Sequence, residues 1–226
     1  MNQIKSELLK NFENLTHCFL YDFQQEDLKN ITKRYLLKDI LTLNQIHSDN
    51  VILLDDSKAD FKNIKGDSIV TKQKNIGIGI FTADCVPILI YEANHEYISV
   101  IHAGWRGSFS EITIKTLKKM NNLLDSDKKD YFAVIGPAIG RCCYEVGNDV
   151  ASLFLSRFNY SNKFLKKSGN GKYLLDLVKF NELQLRSLGV TRIEILDNCT
   201  KCNDFMPSYR RDGKYAGRML SFIGLL

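Results

Sequence analysis

Apolar and polar positions change rhythm several times along the chain. The densest run of β-branched and aromatic residues lies in the middle. There, Ser68–Thr71, Ile76–Thr82, Pro87–Tyr91 and Tyr97–His102 are separated by polar breaks and read as strands. Asn94 falls in the break between the last two and predicts a hairpin. Upstream, the spacing predicts an opening helix over MNQIKSELLKNFENL, a strand near His17–Asp22 and an amphipathic helix around Gln25–Leu37. Short strands follow near Ile40–Gln45 and Val51–Leu54, then a polar loop over Asp55–Lys65. Downstream, Phe109–Leu124 carries Ile112, Leu117, Met120 and Leu124 at helical spacing, with Ser108 or Ser110 as its cap. The rest alternates: a strand at Phe132–Ile135, a helix at Asn148–Arg157 and a strand at Tyr173–Leu175. A helix at Leu177–Leu188 closed by Gly189 and a strand at Arg192–Leu196 complete the pattern. Such alternation predicts an α/β (α+β) fold with a substantial core.

Composition narrows this picture. The 226 residues are 44% hydrophobic and 25% charged, within the globular range, and only three prolines occur. No Gly/Ser/Pro-rich stretch divides the chain, so one domain over residues 1–226 is expected. The net charge of +5 comes from scattered lysines, which argues against a nucleic-acid partner. One basic cluster stands apart: Arg210, Arg211, Lys214 and Arg218. Six cysteines in a chain this long do not form the disulfide framework of a small secreted domain. No signal-peptide pattern opens the sequence and no apolar run reaches membrane-spanning length. A cytoplasmic protein with reduced thiols is expected; nothing here fixes its oligomeric state.

Four histidines occur: His17, His47, His95 and His102. His102 ends a strand and runs into AGWRG, whose glycines demand a tight turn at a strand end, a common location for reactive groups. Cys85, in TADCVP, precedes His102 by two strands and a turn, so both can return to one sheet edge. His47, in NQIHSDNV, lies between two further strands and can reach that edge. Two imidazoles and a thiolate suit a zinc ion with an open fourth position, the arrangement of catalytic zinc. Such a site lowers the pKa of bound water towards ~7. Asp84, beside Cys85, is the candidate hydrogen-bond partner of a ligand or proton carrier. The same residues also fit a Cys85–His102 nucleophilic dyad, or a buried thiol beside a hydrogen-bonded imidazole. His17 and His95 read as structural or exposed. Cys199 and Cys202 form a single CxxC without a second half, and Cys142–Cys143 does not supply one at normal spacing, so packing is expected for them. The basic cluster reads as surface, and Arg106, in the turn after His102, is better placed to meet an anion.

The motifs NQIHSDNV, GDSIVT, TADCVPILIYE, ISVIHAGWRG, VIGPAIGRCCYEVG, LDL, the Cys199–Thr200 pair, and SYRRDG with Gly217–Arg218 occur in this order. Together, from about Ile40 to the C-terminus, they resemble the bacterial YfiH-type family. Its names include laccase-domain protein, polyphenol oxidase, purine nucleoside phosphorylase and peptidoglycan editing factor. The resemblance implies mixed β-sheets packed together with helices outside, and zinc held by His47, Cys85 and His102. It implies phosphorolysis of adenosine, inosine and methylthioadenosine, with adenosine deamination at the same site. Purine nucleosides and phosphate are the implied partners, and Arg106 with Arg210 or Arg211 would hold phosphate. The peptidoglycan name implies an alternative, a thiol amidase with Cys85 as nucleophile and His102 as base. The chain departs from the family where an Arg-containing, Gly-rich segment is usual: His17–Gln25 reads HCFLYDFQQ, and Phe205–Ser208 replaces a more usual FFS. Four histidines cannot furnish a multicopper cluster, so copper oxidation would come from Cu2+ replacing zinc, as the Irving–Williams order permits.

Overall fold

Every residue of the strands Val86–Glu92, Tyr97–Ala103 and Met219–Leu225 is buried, and this sets the layering. A strand buried on both faces needs a covering layer on each side. The structure, a computed structural model, describes residues 2–21, 28–55, 63–124 and 129–226. In chain order the first elements are β1 (Asn2–Ile4), β2 (Leu15–Tyr21), α1 (Leu28–Arg34), β3 (Asp39–Thr42), β4 (Val51–Leu54) and β5 (Ser68–Thr71). Then come β6 (Ile76–Thr82), β7 (Val86–Glu92), β8 (Tyr97–Ala103), α2 (Trp105–Phe109), α3 (Ile112–Asn121) and β9 (Tyr131–Ile135). The last are β10 (Glu145–Val146), α4 (Asn148–Arg157), β11 (Leu165–Gly169), β12 (Lys172–Leu175), α5 (Leu177–Ser187), β13 (Arg192–Ile195), α6 (Tyr209–Asp212) and β14 (Met219–Leu225).

A five-stranded sheet has the order β1-β2-β14-β6-β3, and a six-stranded sheet the order β13-β9-β7-β8-β5-β4. A small sheet, β10-β12-β11, lies apart. The two large sheets share one apolar layer: Phe19, Ile78, Ile80 and Ile223 from the first meet Ile69, Leu89, Ile98 and Val134 from the second. Alternation sends the intervening residues outward. Ile88, Ile90, Ile101 and Ile135 pack against Ile112 and Leu117 of α3, Phe154 of α4 and Phe180 of α5. Leu20 and Phe222 pack against Ile31 of α1. The result is a mixed α/β fold in four layers, helix–sheet–sheet–helix, as expected from the sequence.

Several elements differ from expectation. The opening segment is no helix: Asn2–Ile4 pairs antiparallel with β2, followed by a 3-10 turn at Leu9–Asn11. Its backbone donors are claimed elsewhere, since Glu194 of β13 accepts from the N–H groups of Leu8 at 2.9 Å and Glu7 at 3.2 Å. The helix expected over Phe109–Leu124 is the shorter α3, Ile112–Asn121, set off from the preceding α2 where Glu111 takes φ 63°. Neither serine caps it. Ser108 is held by α5, its Oγ accepting from Asn181 at 2.9 Å and its carbonyl from Gln184 at 3.2 Å. β3 ends at Thr42 rather than Gln45, because the Gln45 amide bonds the backbone N–H and carbonyl of Phe81, both at 2.8 Å. The sequence pattern missed β14, a central strand flanked by β2 and β6. Asp22, residues 25–27 and residues 56–62 of the expected polar loop lie outside the described residues.

Candidate active site and metal centre

The chain crosses between the two large sheets at neighbouring places. Residues 43–50 lead from β3 to β4 and carry His47; residues 83–85 lead from β6 to β7 and carry Asp84 and Cys85. The β7–β8 hairpin pairs Val86 with Ala103 and Pro87 with His102, so Cys85 and His102 return to the same edge, as their spacing predicts. The donor atoms of His47, Cys85 and His102 lie within 4.8 Å of one another. Both crossings use left-handed backbone at non-glycine residues, with φ 57° at His47 and 84° at Asp84. Such conformations persist only when their surroundings enforce them. Gly104 completes the corner: a Cβ there would stand 2.9 Å from His47 Nδ1 and 3.1 Å from Cys85 Sγ, inside the donor cluster.

Much of the enforcement comes from one buried carboxylate, Asp67, which heads β5 in GDSIVT. Its Oδ1 accepts from His102 Nδ1 at 2.7 Å and from the His47 N–H at 3.0 Å. Its Oδ2 accepts from the N–H and Oγ of Ser48, each at 2.6 Å, and its backbone carbonyl accepts from the His102 N–H at 2.7 Å. Asp67 thereby sets the ring orientation of His102 and leaves Nε2 to face Cys85. Burial opposes its charge, but the bonds from His102 and Ser48 outweigh burial and hold its pKa below the usual carboxylate range. Burial likewise disfavours a Cys85 thiolate, yet the His102 and His47 rings bonded to it lower the thiol. His102 moves the other way: burial lowers its pKa, while Asp67 and Cys85 together raise it. The sequence reading offered Asp84 as the partner of a ligand and overlooked Asp67. The signal was present as an Asp opening a strand of the same sheet.

The cluster opens on a cavity of about 680 Å³, also lined by Gln45, Thr82, Tyr144, Tyr209, Arg210 and Arg218. The Thr82 hydroxyl is buried on this wall without a hydrogen-bond partner among the described residues. Asp84 lines the cavity too, but its carboxylate accepts from Thr200 Oγ1 and from the Arg210 N–H, both at 2.6 Å. It ties α6 to the β6–β7 crossing. Arg210 reaches the cavity with its guanidinium centre 5.2 Å from the Tyr144 ring. Arg211 does not join it. Its guanidinium donates to the carbonyls of Thr200, Asn203 and Met206 and to the Asp212 carboxylate, so it buttresses the loop before α6. Arg106 is exposed and stacks 4.4 Å from the Trp105 ring, outside the cavity lining, although its charge is felt at Tyr144. Arg218, read only as part of a basic surface, lines the cavity instead.

The donor set suits a borderline-soft ion such as zinc: two nitrogens, one sulfur, a carboxylate orienting one imidazole, and space on the fourth side. The other two histidines are engaged elsewhere, as expected. His17 is buried and its Nε2 accepts from the Ser6 N–H at 2.9 Å, while His95 Nδ1 lies 2.9 Å from the Glu92 carboxylate. Residues 25–226 match the family model described as multi-copper polyphenol oxidoreductase laccase. The chain belongs to this family. Among laccase-family relatives, a protein of Clostridium acetobutylicum named purine nucleoside phosphorylase is 38% identical over 200 residues, spanning 88% of this chain and 82% of that one. One of Aquifex aeolicus with the same name is 37% identical over 182 residues, spanning 80% and 81%. The crystal structure of Bacillus licheniformis YfiH, titled a hypothetical protein, superposes with a TM-score of 0.87 at 26% identity, covering 97% of this chain and 96% of that one. The family's fold is thus the fold of this chain. No helix among the described residues is long and apolar enough to cross a membrane.

Proposed function

We propose that the chain is a zinc-dependent purine nucleoside phosphorylase acting on adenosine, inosine or methylthioadenosine, with adenosine deamination at the same site. One observation carries this reading. The His47–Cys85–His102 cluster lines a cavity together with Arg210, Arg218, Tyr144 and Tyr209, and each arginine has spent only one guanidinium nitrogen on backbone, Arg210 on the Glu145 carbonyl and Arg218 on those of Ala216 and Gly217. About 680 Å³ is within the range of small-molecule sites and accommodates a nucleoside with phosphate. Guanidinium groups match phosphate geometry, and tyrosine rings offer faces to a purine. The relatives' name, purine nucleoside phosphorylase, supports the broader substrate class.

Phosphorolysis forms a bond from a phosphate oxygen to C1′ and breaks the C1′–N9 bond, whose electron pair leaves with the base. Arg210 and Arg218 hold the phosphate against C1′, with Arg106 adding positive charge beside Tyr144. Tyr144 is buried enough, and close enough to Cys85, that its pKa rises to about 12, so it stays a neutral hydrogen-bond donor at neutral pH. His47, Cys85 and His102 would hold a zinc ion, which would supply Lewis acidity of the kind that deamination at the purine C6 calls on. Copper in the same donors accounts for any phenol-oxidising side activity. The reaction takes place in the cytoplasm, where the thiols stay reduced.

The test is release of hypoxanthine from inosine, dependent on phosphate and abolished by chelation or by Cys85→Ala. Zinc-loaded protein that releases no base overturns the reading. A second reading rests on geometry: the Cys85 thiol and the His102 ring share one donor cluster, and Asp67 holds the far nitrogen of that ring. It makes Cys85 the nucleophile and His102 the base of an amidase acting on a peptidoglycan precursor. That reading requires electrophile labelling of Cys85 and turnover in metal-free protein.

A further inference from the structure

A second donor cluster lies outside the cavity. β9 and β13 are parallel neighbours with Ile135 paired to Ile195, so the loops that follow them leave the sheet side by side. The loops stay together beyond it: Ala138 bridges Cys199, and the Thr200 N–H donates to the Ala138 carbonyl at 3.0 Å. In the first loop the N–H groups of Cys143 and Tyr144 both donate to the Gly140 carbonyl, at 2.9 and 3.0 Å. This tight turn carries the adjacent Cys142 and Cys143 towards one partner. Their Sγ atoms lie 3.7 and 3.3 Å from Cys202 Sγ, on the second loop. With Cys199 the four Sγ atoms lie within 4.8 Å of one another, and none is in a disulfide. The sequence pattern predicts packing roles because a CC pair is not the usual second half of a CxxC site. The turn at Gly140 brings the adjacent cysteines as close to one partner as a two-residue spacer does elsewhere.

We propose that Cys142, Cys143, Cys199 and Cys202 form a closed tetrathiolate zinc site. A tetrahedral ion with zinc–sulfur bonds of about 2.3 Å needs sulfurs roughly 3.8 Å apart, close to the spacing here. Binding releases the thiol protons to solvent and leaves four thiolates on the ion. Backbone N–H donors stabilise such sulfurs, and the Gly140 N–H already points at Cys199 Sγ at 3.2 Å. A Cβ at Gly140 would sit 3.2 Å from Cys142 Sγ and 3.2 Å from Cys199 Cβ, so a side chain there would crowd the cluster. Four sulfurs leave no coordination position for a substrate, so the site is structural. It joins the loop carrying Tyr144 to the loop whose Thr200 bonds Asp84 and whose carbonyls hold Arg211. The staple therefore fixes one wall of the cavity.

The decisive measurement is metal content of the full chain purified under reducing conditions. Wild type should hold two zinc ions per chain. A triple variant, His47→Ala, Cys85→Ala and His102→Ala, should retain one, and cobalt(II) added to its apo form should give the charge-transfer and d–d bands of a tetrahedral tetrathiolate. Cys199→Ser with Cys202→Ser should remove one zinc from the wild-type count. A triple variant that binds no metal, with all four cysteines alkylated as readily as free thiols, overturns the proposal. So does a Cys143–Cys202 disulfide in the native protein, and iron in place of zinc overturns the metal assigned. If the triple variant does not fold, cadmium-113 NMR of cadmium-loaded wild type decides instead. Two signals, one of them in the all-sulfur range, support the site; a single mixed-donor signal overturns it.

Discussion

The two donor clusters are built from overlapping chemistry and reach opposite ends. At the sheet crossing, three donors of mixed kind, two imidazoles and one thiol, face a cavity. At the loops beyond β9 and β13, four sulfurs face one another. On a bound ion the first arrangement would leave a position for substrate or water, and the second would close the coordination sphere. The supports differ as well. A buried carboxylate, Asp67, orients the first cluster, and backbone N–H groups and a glycine turn shape the second. Donor number and donor partners, rather than the mere presence of cysteine, are what would separate a reactive site from a staple.

The sharpest way to break this comparison is to remove one donor from each. Cys85→Ala should reduce phosphate-dependent base release to background, whereas Cys202→Ser should leave measurable turnover with lowered thermal stability; equal loss of turnover in both would erase the distinction. Acid gives the next largest effect, and it must be divided between metal loss and an unrelated histidine. His17 is held neutral, its pKa lowered to about 4 chiefly by burial. The unfolded chain binds a proton near pH 6.5 and the fold does not, so stability is complete above that pH. It declines as pH falls towards 4, by roughly 3 kcal/mol. Urea melts of metal-free protein should show this slope, and His17→Gln, which keeps an acceptor for the Ser6 N–H, should flatten it. Any acid sensitivity left in loaded protein then belongs to the metal ligands.

Asp67→Asn comes next. Partners that orient metal-ligating histidines are worth about 10–100-fold in metal affinity, so zinc retention at the cavity should weaken by that factor. Competition against a chromogenic chelator reads this out, and the zinc of the four cysteines should be unaffected. The smallest effect concerns the arginines. Arg210→Ala should raise the KM for phosphate about tenfold or more, the worth of a hydrogen bond to a charged group. Arg211→Ala should instead lower the melting temperature with little change in that KM, since its donors are spent on the loop.

The sequence by itself determined the parts whose signals are local. Runs of β-branched and aromatic residues between polar breaks located β5 to β8, and the two strands and turn between Cys85 and His102 placed both residues at one edge. The ordered motifs identified the family, and the three candidate donors implied by that resemblance are residues that the fold gathers. The opening strand was not legible, because its helical polar pattern was overruled by pairing with β2 and by Glu194, some 186 residues away. Nor was Arg211 separable from Arg210, since adjacent arginines look alike until one is seen donating to four carbonyls and a carboxylate. Tertiary structure alone decided that Asp67 rather than Asp84 orients His102, and that Arg218 joins the cavity in place of Arg106. It alone brought the pair Cys142–Cys143 to Cys199 and Cys202, across some sixty residues. The physical reason is common to all of these. Donors and acceptors are satisfied by whatever the packed sheets bring near, and sequence distance carries no record of which sheet ends meet.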